Sequence, residues 1–256
     1  MKIHPTAIVH PGACIAEDVE IGPGVVIEGP AVIGPGCVLQ AHAVLTGAVR
    51  LGKNNTVGYG AILGSPAQDL GSSPDTASEL VIGDGNTIRE HCTLHKGAKE
   101  GSATRVGNGN FLMTGAHLGH NAAVGNNAIL ANNVLVAGYA QIGDRAFLGG
   151  GSVYHQHIRV GQLAIAQGVS GFSKDLPPFT VGAGINFVVG LNIVGMRRAG
   201  LGPEERKDVK EAFTLLYKSG LNIRQALERA KEREWGPHGC SFFDFVASAG
   251  KRGGQW

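Results

Sequence analysis

Ten histidines stand in a chain of 256 residues of which only 16% are charged, and several gather in two short segments. These are Gly115-Ala116-His117-Leu118-Gly119-His120-Asn121 and Tyr154-His155-Gln156-His157. A third polar segment, Gly64-Ser65-Pro66-Ala67-Gln68-Asp69-Leu70, interrupts an otherwise apolar pattern. Histidine titrates near neutrality and is the commonest general base. His120, Gly138 and Gln156 are spaced 18 residues apart, as are Asn121, Tyr139 and His157. If the chain repeats every 18 residues, a histidine stands over a glycine, with an exposed backbone N–H and open space beneath it. A base beside a preorganised donor for an oxyanion is what acyl transfer requires.

That repeat is present. Aliphatic residues recur every six positions at Ile3, Val9, Ile15, Ile21, Ile27, Ile33, Leu39, Leu45, Leu51, Val57 and Leu63. The phase slips across an interruption from Gly64 to Val81 and resumes at Ile82, Ile88 and Leu94. It skips at Glu100, runs from Val106 to Leu148, meets an exception at Tyr154 and reaches Val160. Four positions after each aliphatic the residue is small, as at Ala31, Cys37, Ala43, Ala116, Ala122 and Ala140. Glycine often follows the aliphatic directly, as at Gly22, Gly34, Gly52 and Gly107, where it eases a tight corner. A six-residue period means a short strand and a turn, and three hexads close one triangular coil of a parallel β-helix. Its turns then carry the chemistry and its interior the packing.

The hexad pattern resembles the hexapeptide-repeat acyltransferases over about residues 1–185, and the resemblance implies a left-handed β-helix, against the usual right-handed crossover. The fold expected is an all-β left-handed parallel β-helix with a loop over 64–81, a connector over 186–202 and an α-helical domain over 203–256. Pro203-Glu204-Glu205 starts a helix with Val209, Ala212, Phe213 and Leu216 on one face. Asn222 and Gln225 form a capping box for a second helix. Ser241 caps a third, which carries Phe242, Phe243, Phe245 and Val246 and stops at Gly250.

Composition bounds the rest. Glycine supplies 41 residues without a Gly-X-Y period, and 43% hydrophobic content can build a core, so collagen and disorder are both excluded. A net charge of +2 argues against a nucleic-acid surface. Neither a signal peptide nor a membrane span is visible, and four scattered cysteines form no CxxC pair. Free thiols and a cytoplasmic location are expected.

Several motifs occur in order: Gln68-Asp69-Leu70, Ile88-Arg89-Glu90, Leu94-His95-Lys96-Gly97, Ala116-His117-Leu118-Gly119-His120, Val153-Tyr154-His155-Gln156, Asp175-Leu176-Pro177-Pro178-Phe179 and Asn192-Ile193-Val194-Gly195. With the helical tail they resemble the UDP-N-acetylglucosamine O-acyltransferases of lipid A biosynthesis. The resemblance implies transfer of an R-3-hydroxyacyl chain from acyl carrier protein to the 3-hydroxyl of UDP-N-acetylglucosamine, by a homotrimer and without a cofactor or metal. It implies His120 as general base and the Gly138 N–H as oxyanion donor. Gln68, Asp69, His95, His117, His155 and Gln156 fall on sugar-nucleotide contacts, and Asn192 and Arg198 on contacts from a neighbouring subunit. Gly168 falls where glycine leaves space for a longer acyl tail. Arg197, Arg198, Lys207 and Lys210 are candidates to dock the acidic carrier.

The departures are specific. Asn121 replaces an Asp and supplies no charge to the imidazolium, Tyr139 replaces a His, and Gly71 replaces a Lys. Val194 and Ala199 replace an acid and an Arg. They leave open a paralogue acylating another nucleotide sugar, such as a 3-amino sugar, or a non-catalytic solenoid. A γ-type carbonic anhydrase on the same scaffold would need zinc on residues such as His95, His117 and His120. Their spacing, the Gln-Asp segment and the helical tail are foreign to that family.

Overall fold

The computed structural model describes residues 2–249 and is a left-handed parallel β-helix capped by helices. Its described strands form three parallel faces of eleven, nine and eight strands, the first closed by one antiparallel strand. Register follows the repeat: Lys2 pairs with Glu20, Phe111 with Ile129 and Ile129 with Phe147. Along most of the coil the second residue of each short strand, usually aliphatic, faces inward, so Ile27, Leu45, Leu63, Leu94, Leu118 and Leu130 are all fully buried.

Two coils are longer than the rest. Ile62 pairs with Thr93, so residues 66–78 leave the coil between the strands Ile62–Ser65 and Glu79–Ile82. Gly64, Ser65, Glu79, Leu80 and Val81 therefore belong to strands, and the excursion is shorter than the interruption read from the hexads. Thr93 then pairs with His117, which puts residues 96–102 outside the coil as a second excursion. The skip at Glu100 was its only mark in the hexads, because a loop of that length preserves the phase. Both excursions leave the same edge, between the second and third faces.

The glycines after the aliphatics serve another purpose than the corner's conformation. A Cβ on Gly34 would lie 2.7 Å from the Gly52 carbonyl oxygen, and one on Gly107 2.5 Å from that of Gly125. They permit close approach of successive coils. Positive φ falls two residues later, and non-glycine residues such as Asn121 (φ 59°), Asn133 (φ 56°) and Tyr139 (φ 59°) often take it.

Three small-residue positions carry buried asparagines instead. Asn86 donates its backbone N–H and its Nδ2 to Asn55 Oδ1 at 2.8 and 3.0 Å. Asn110 does the same to Asn86 Oδ1 at 2.8 and 2.9 Å, and the Ala128 N–H closes the ladder on Asn110 Oδ1 at 2.7 Å. Asn86→Leu leaves the amides on both sides short of a partner and is expected to lower stability by about 1–3 kcal/mol in denaturant unfolding. Unchanged stability would show that the ladder contributes nothing net.

Below the last coil, strand Thr180–Ala183 turns back as strand Phe187–Leu191 and leads into four helices. These are α1 (Ile193–Arg198), α2 (Pro203–Tyr217), α3 (Ile223–Ala230) and α4 (Pro237–Ala247). The connector thus contains a strand and α1. α3 carries the expected capping box, with Gln225 N–H donating to Asn222 Oδ1 and Asn222 N–H to Gln225 Oε1, each at 3.0 Å. α4 begins at Pro237 after Gly236, so Ser241 lies inside it and receives a 3.0 Å bond from Gln162 Nε2. Proline at the first helical position set that start. Gly250 lies outside the described residues.

Helices and coil share a second core of Leu163, Phe179, Met196, Phe213 and Phe242. Arg159 pins α4 to the last coil: it pairs with Asp175 at 2.6 Å, donates to the Phe245 carbonyl at 2.9 Å and lies over the Phe245 ring.

Candidate active site

The edge from which both excursions emerge also carries His120, Gly138 and Gln156, since His117 pairs with Leu135 and Leu135 with Val153. The stacking expected from the 18-residue spacing is thus observed. His120 is 9% exposed. Its Nδ1 lies 3.1 Å from Asn121 Oδ1, and that oxygen also accepts the Ala98 N–H at 2.9 Å. The Ala98 bond identifies the atom as the amide oxygen, so Nδ1 must donate to it. The Nε2 lone pair is left free for a proton. The ring lays the Nε2 end of its face over Gly138, where a Cβ would stand 2.6 Å from Nε2, 2.7 Å from Cε1 and 3.1 Å from Cδ2. The Gly138 N–H has no hydrogen-bond acceptor among the described residues, so a bare donor lies beneath the base.

The second excursion thereby reaches the site, because Ala98 belongs to it. The first is tied in by His95, whose Nδ1–H donates to the Pro66 carbonyl at 2.6 Å. His95 meets His117 edge to face at 5.1 Å between ring centroids, and His117 Nδ1 lies 2.8 Å from Thr93 Oγ1. Burial, helped by the neighbouring His95, pushes His117 down to about 4, so it is neutral at neutral pH. A neutral imidazole offers one donor and one acceptor to a polar ligand and no charge.

Gln68 and Asp69 are exposed on the first excursion, where Asp69 Oδ1 accepts the Gly71 N–H at 2.9 Å. Lys96 was missed by the sequence reading and holds this loop in place. It is 8% exposed, and its Nζ donates to the Pro74 and Thr76 carbonyls at 2.9 and 2.8 Å. Thr93 was missed too. Neither position breaks the hexad phase, so the repeat carried no signal for them.

His155 and Gln156 are exposed on the turn below Gly138, with His155 Nδ1 3.2 Å from the Gln156 carbonyl oxygen. Tyr154, grouped with them in the sequence, instead faces the interior. It is 2% exposed, stacks on Phe172 and shares a 2.9 Å bond with Ser152. On the second face an open groove of about 450 Å³ passes His117, Leu135, Val153, His155, Gly171 and Ile185. Its lining is mainly apolar, and Leu135 and Val153 present side chains 47% and 44% exposed.

The remaining candidates stand apart from the His120 column. Gly168 follows strand Ile165–Ala166 of the first face and so sits on the opposite edge of the second face from His120. A Cβ there would lie 3.1 Å from the Gly150 carbonyl oxygen. Asn192 is 5% exposed and spends both ends of its amide within the chain. Its Oδ1 caps α1 through the Gly195 N–H, and its Nδ2 donates to the Leu163 carbonyl, each at 2.8 Å. Arg198 is exposed at the end of α1.

Comparison with known proteins bears on this geometry. The family described as UDP N-acetylglucosamine O-acyltransferase, domain 2, matches residues 175–254, and the bacterial transferase hexapeptide (six repeats) family matches residues 103–138. The chain is 48% identical over 232 residues to the acyl-[acyl-carrier-protein]–UDP-N-acetylglucosamine O-acyltransferase of Myxococcus xanthus, covering 90% of each chain. It is 42% identical to the protein of that name from Burkholderia lata, over 90% of this chain and 88% of that one. Among solved structures, the UDP-N-acetylglucosamine acyltransferase of Bacteroides fragilis superposes with a TM-score of 0.93 at 38% identity, covering 98% of this chain and 99% of that one.

Proposed function

This chain belongs to the UDP-N-acetylglucosamine O-acyltransferase family, and we propose that it moves an R-3-hydroxyacyl chain from acyl carrier protein to the 3-hydroxyl of UDP-N-acetylglucosamine, the first step of lipid A biosynthesis. The observation that carries the reading is the free His120 Nε2 held directly against Gly138. His120 takes the proton of the sugar hydroxyl as its oxygen attacks the thioester carbonyl carbon. The Gly138 N–H receives the resulting oxyanion. The intermediate then collapses to an ester, and the carrier's sulfur leaves with the proton returned by His120. No metal or cofactor enters this sequence.

Gln68, Asp69, His95, His117, His155 and Gln156 bind the nucleotide sugar in this reading. The apolar groove on the second face accepts the acyl chain, with Gly168 along its far edge. Arg197, Arg198, Lys207 and Lys210 are exposed at the helical end and face the acidic carrier. The working form is a homotrimer in the cytoplasm. His120 and α1 lie several coils apart, so Arg198 completes a site only if it is supplied by a neighbouring copy. Light scattering is expected to give three times the chain mass, and a stable monomer at micromolar concentration would count against this assembly.

The function is tested by incubating the protein with 3-hydroxyacyl carrier protein and UDP-N-acetylglucosamine and following the product by mass spectrometry. A base-labile ester is expected. Transfer only to a 3-amino nucleotide sugar, seen as a stable amide, would reassign the acceptor and trace to the departures at Asn121, Gly71, Val194 and Ala199.

A further inference from the structure

Tyr139 stands at a left-handed corner of the coil between two histidines. Its φ is 59°, a region where a bulky residue is an outlier and where Asn or Gly is the usual occupant. Corners of other coils take it with Asn121, Arg145, His157, Leu163 and Val169 as well as with glycine. What distinguishes Tyr139 is an aromatic contact on each side. The Tyr139 ring meets the His120 imidazole edge to face at 5.2 Å between centroids and 88° between planes. On its other side it stacks on His157 at 4.8 Å and 7°. The Tyr139 N–H also donates to the His120 carbonyl at 3.0 Å, so backbone and ring both hold the histidine.

From this we infer that Tyr139, backed by His157, is a positioning residue for His120: its ring fixes the plane of an imidazole that no carboxylate orients. Asn121 holds Nδ1 through one neutral hydrogen bond, which leaves the ring free to swing about that contact. A wall at right angles removes that freedom and keeps Nε2 on Gly138. Edge-to-face aromatic pairs contribute beyond their burial, and an ångström of misplacement at a base can cost up to about a hundredfold in rate. The inference rests on His120 as the general base.

The test uses Tyr139→Asn, which suits the left-handed corner and removes the ring, Tyr139→Phe, which keeps the ring without its hydroxyl, and His157→Asn. In acyl transfer, Tyr139→Asn is expected to lose between about tenfold and a hundredfold in kcat, with the KM for UDP-N-acetylglucosamine little changed. Tyr139→Phe should match the parent, and His157→Asn should show a smaller drop in kcat. A second readout is independent of turnover: nitrogen NMR of the His120 ring should report the Nδ1–H tautomer in the parent and in Tyr139→Phe, and a tautomer mixture in Tyr139→Asn. If the parent fails to acylate this sugar, the functional reading fails while the tautomer measurement still decides the positioning role. Parent-like kcat and tautomer in Tyr139→Asn would overturn the inference, as would a Tyr139→Phe as impaired as Tyr139→Asn.

Discussion

His120→Ala is expected to lower kcat by about 10²–10⁴, the usual range for general-base catalysis, with the melting temperature close to that of the parent. The side chain lies at a corner outside the aliphatic core, and its Nδ1 bond to Asn121 is its one polar side-chain contact among the described residues, so the coil should survive its loss. Substrate binding should survive as well, since His117, His95 and the loop tied by Pro66 are untouched. The drop should therefore fall on kcat and spare KM. Asn121→Asp provides the complementary arm. A carboxylate oxygen in place of Oδ1 could still accept from both Nδ1 and the Ala98 N–H, and would add charge to stabilise the imidazolium. Activity should rise or hold in that variant. Parent-like kcat in His120→Ala, measured where chemistry limits turnover, would refute the mechanism.

Much of this was legible because a β-helix is quasi-one-dimensional. Each coil contacts its neighbours, so a period in sequence becomes a column in space, and the meeting of His120, Gly138 and Gln156 needed only the number 18. The same logic hid what does not disturb the period. The excursion over 96–102 preserved the phase, and with it the approach of Ala98 to Asn121 and the burial of Lys96. Tyr154 looked polar by its neighbours, yet its phase placed it inside, and the phase was the better guide. Asn55, Asn86 and Asn110 broke the small-residue rule because each amide feeds the next, a cooperation invisible one coil at a time. Ends of helices follow local chemistry rather than period, and at α4 the proline at 237 outweighed the serine at 241. Asn192 carries a role that motif matching does not convey: its amide caps α1 and grips Leu163.

The sharpest steric test is Gly138→Ala. The glycine is not among the residues with positive φ, so alanine fits the backbone there and the fold should be retained. Yet the added methyl would stand 2.6 Å from His120 Nε2, 2.7 Å from Cε1 and 3.1 Å from Cδ2. The contact is with the face of the base itself, and the imidazole must move. Tyr139 and Asn121 block the easy routes, through the ring at 5.2 Å and the bond at Nδ1. Alanine keeps the N–H, so the loss comes from moving the base away from the donor. Misplacing a catalytic group by about an ångström can cost about 10² in kcat. Gly138→Ala should lose about that much in kcat while still binding the nucleotide sugar with parental affinity in calorimetry. Gly150→Ala serves as the control: it lies on the opposite edge of the second face, with its nearest neighbour the Asn132 carbonyl oxygen at 3.4 Å. That variant should remain active. If Gly138→Ala turned over at the parental rate, the clearance beneath His120 would not matter, and the acyl-transfer base would have to be sought elsewhere on the coil.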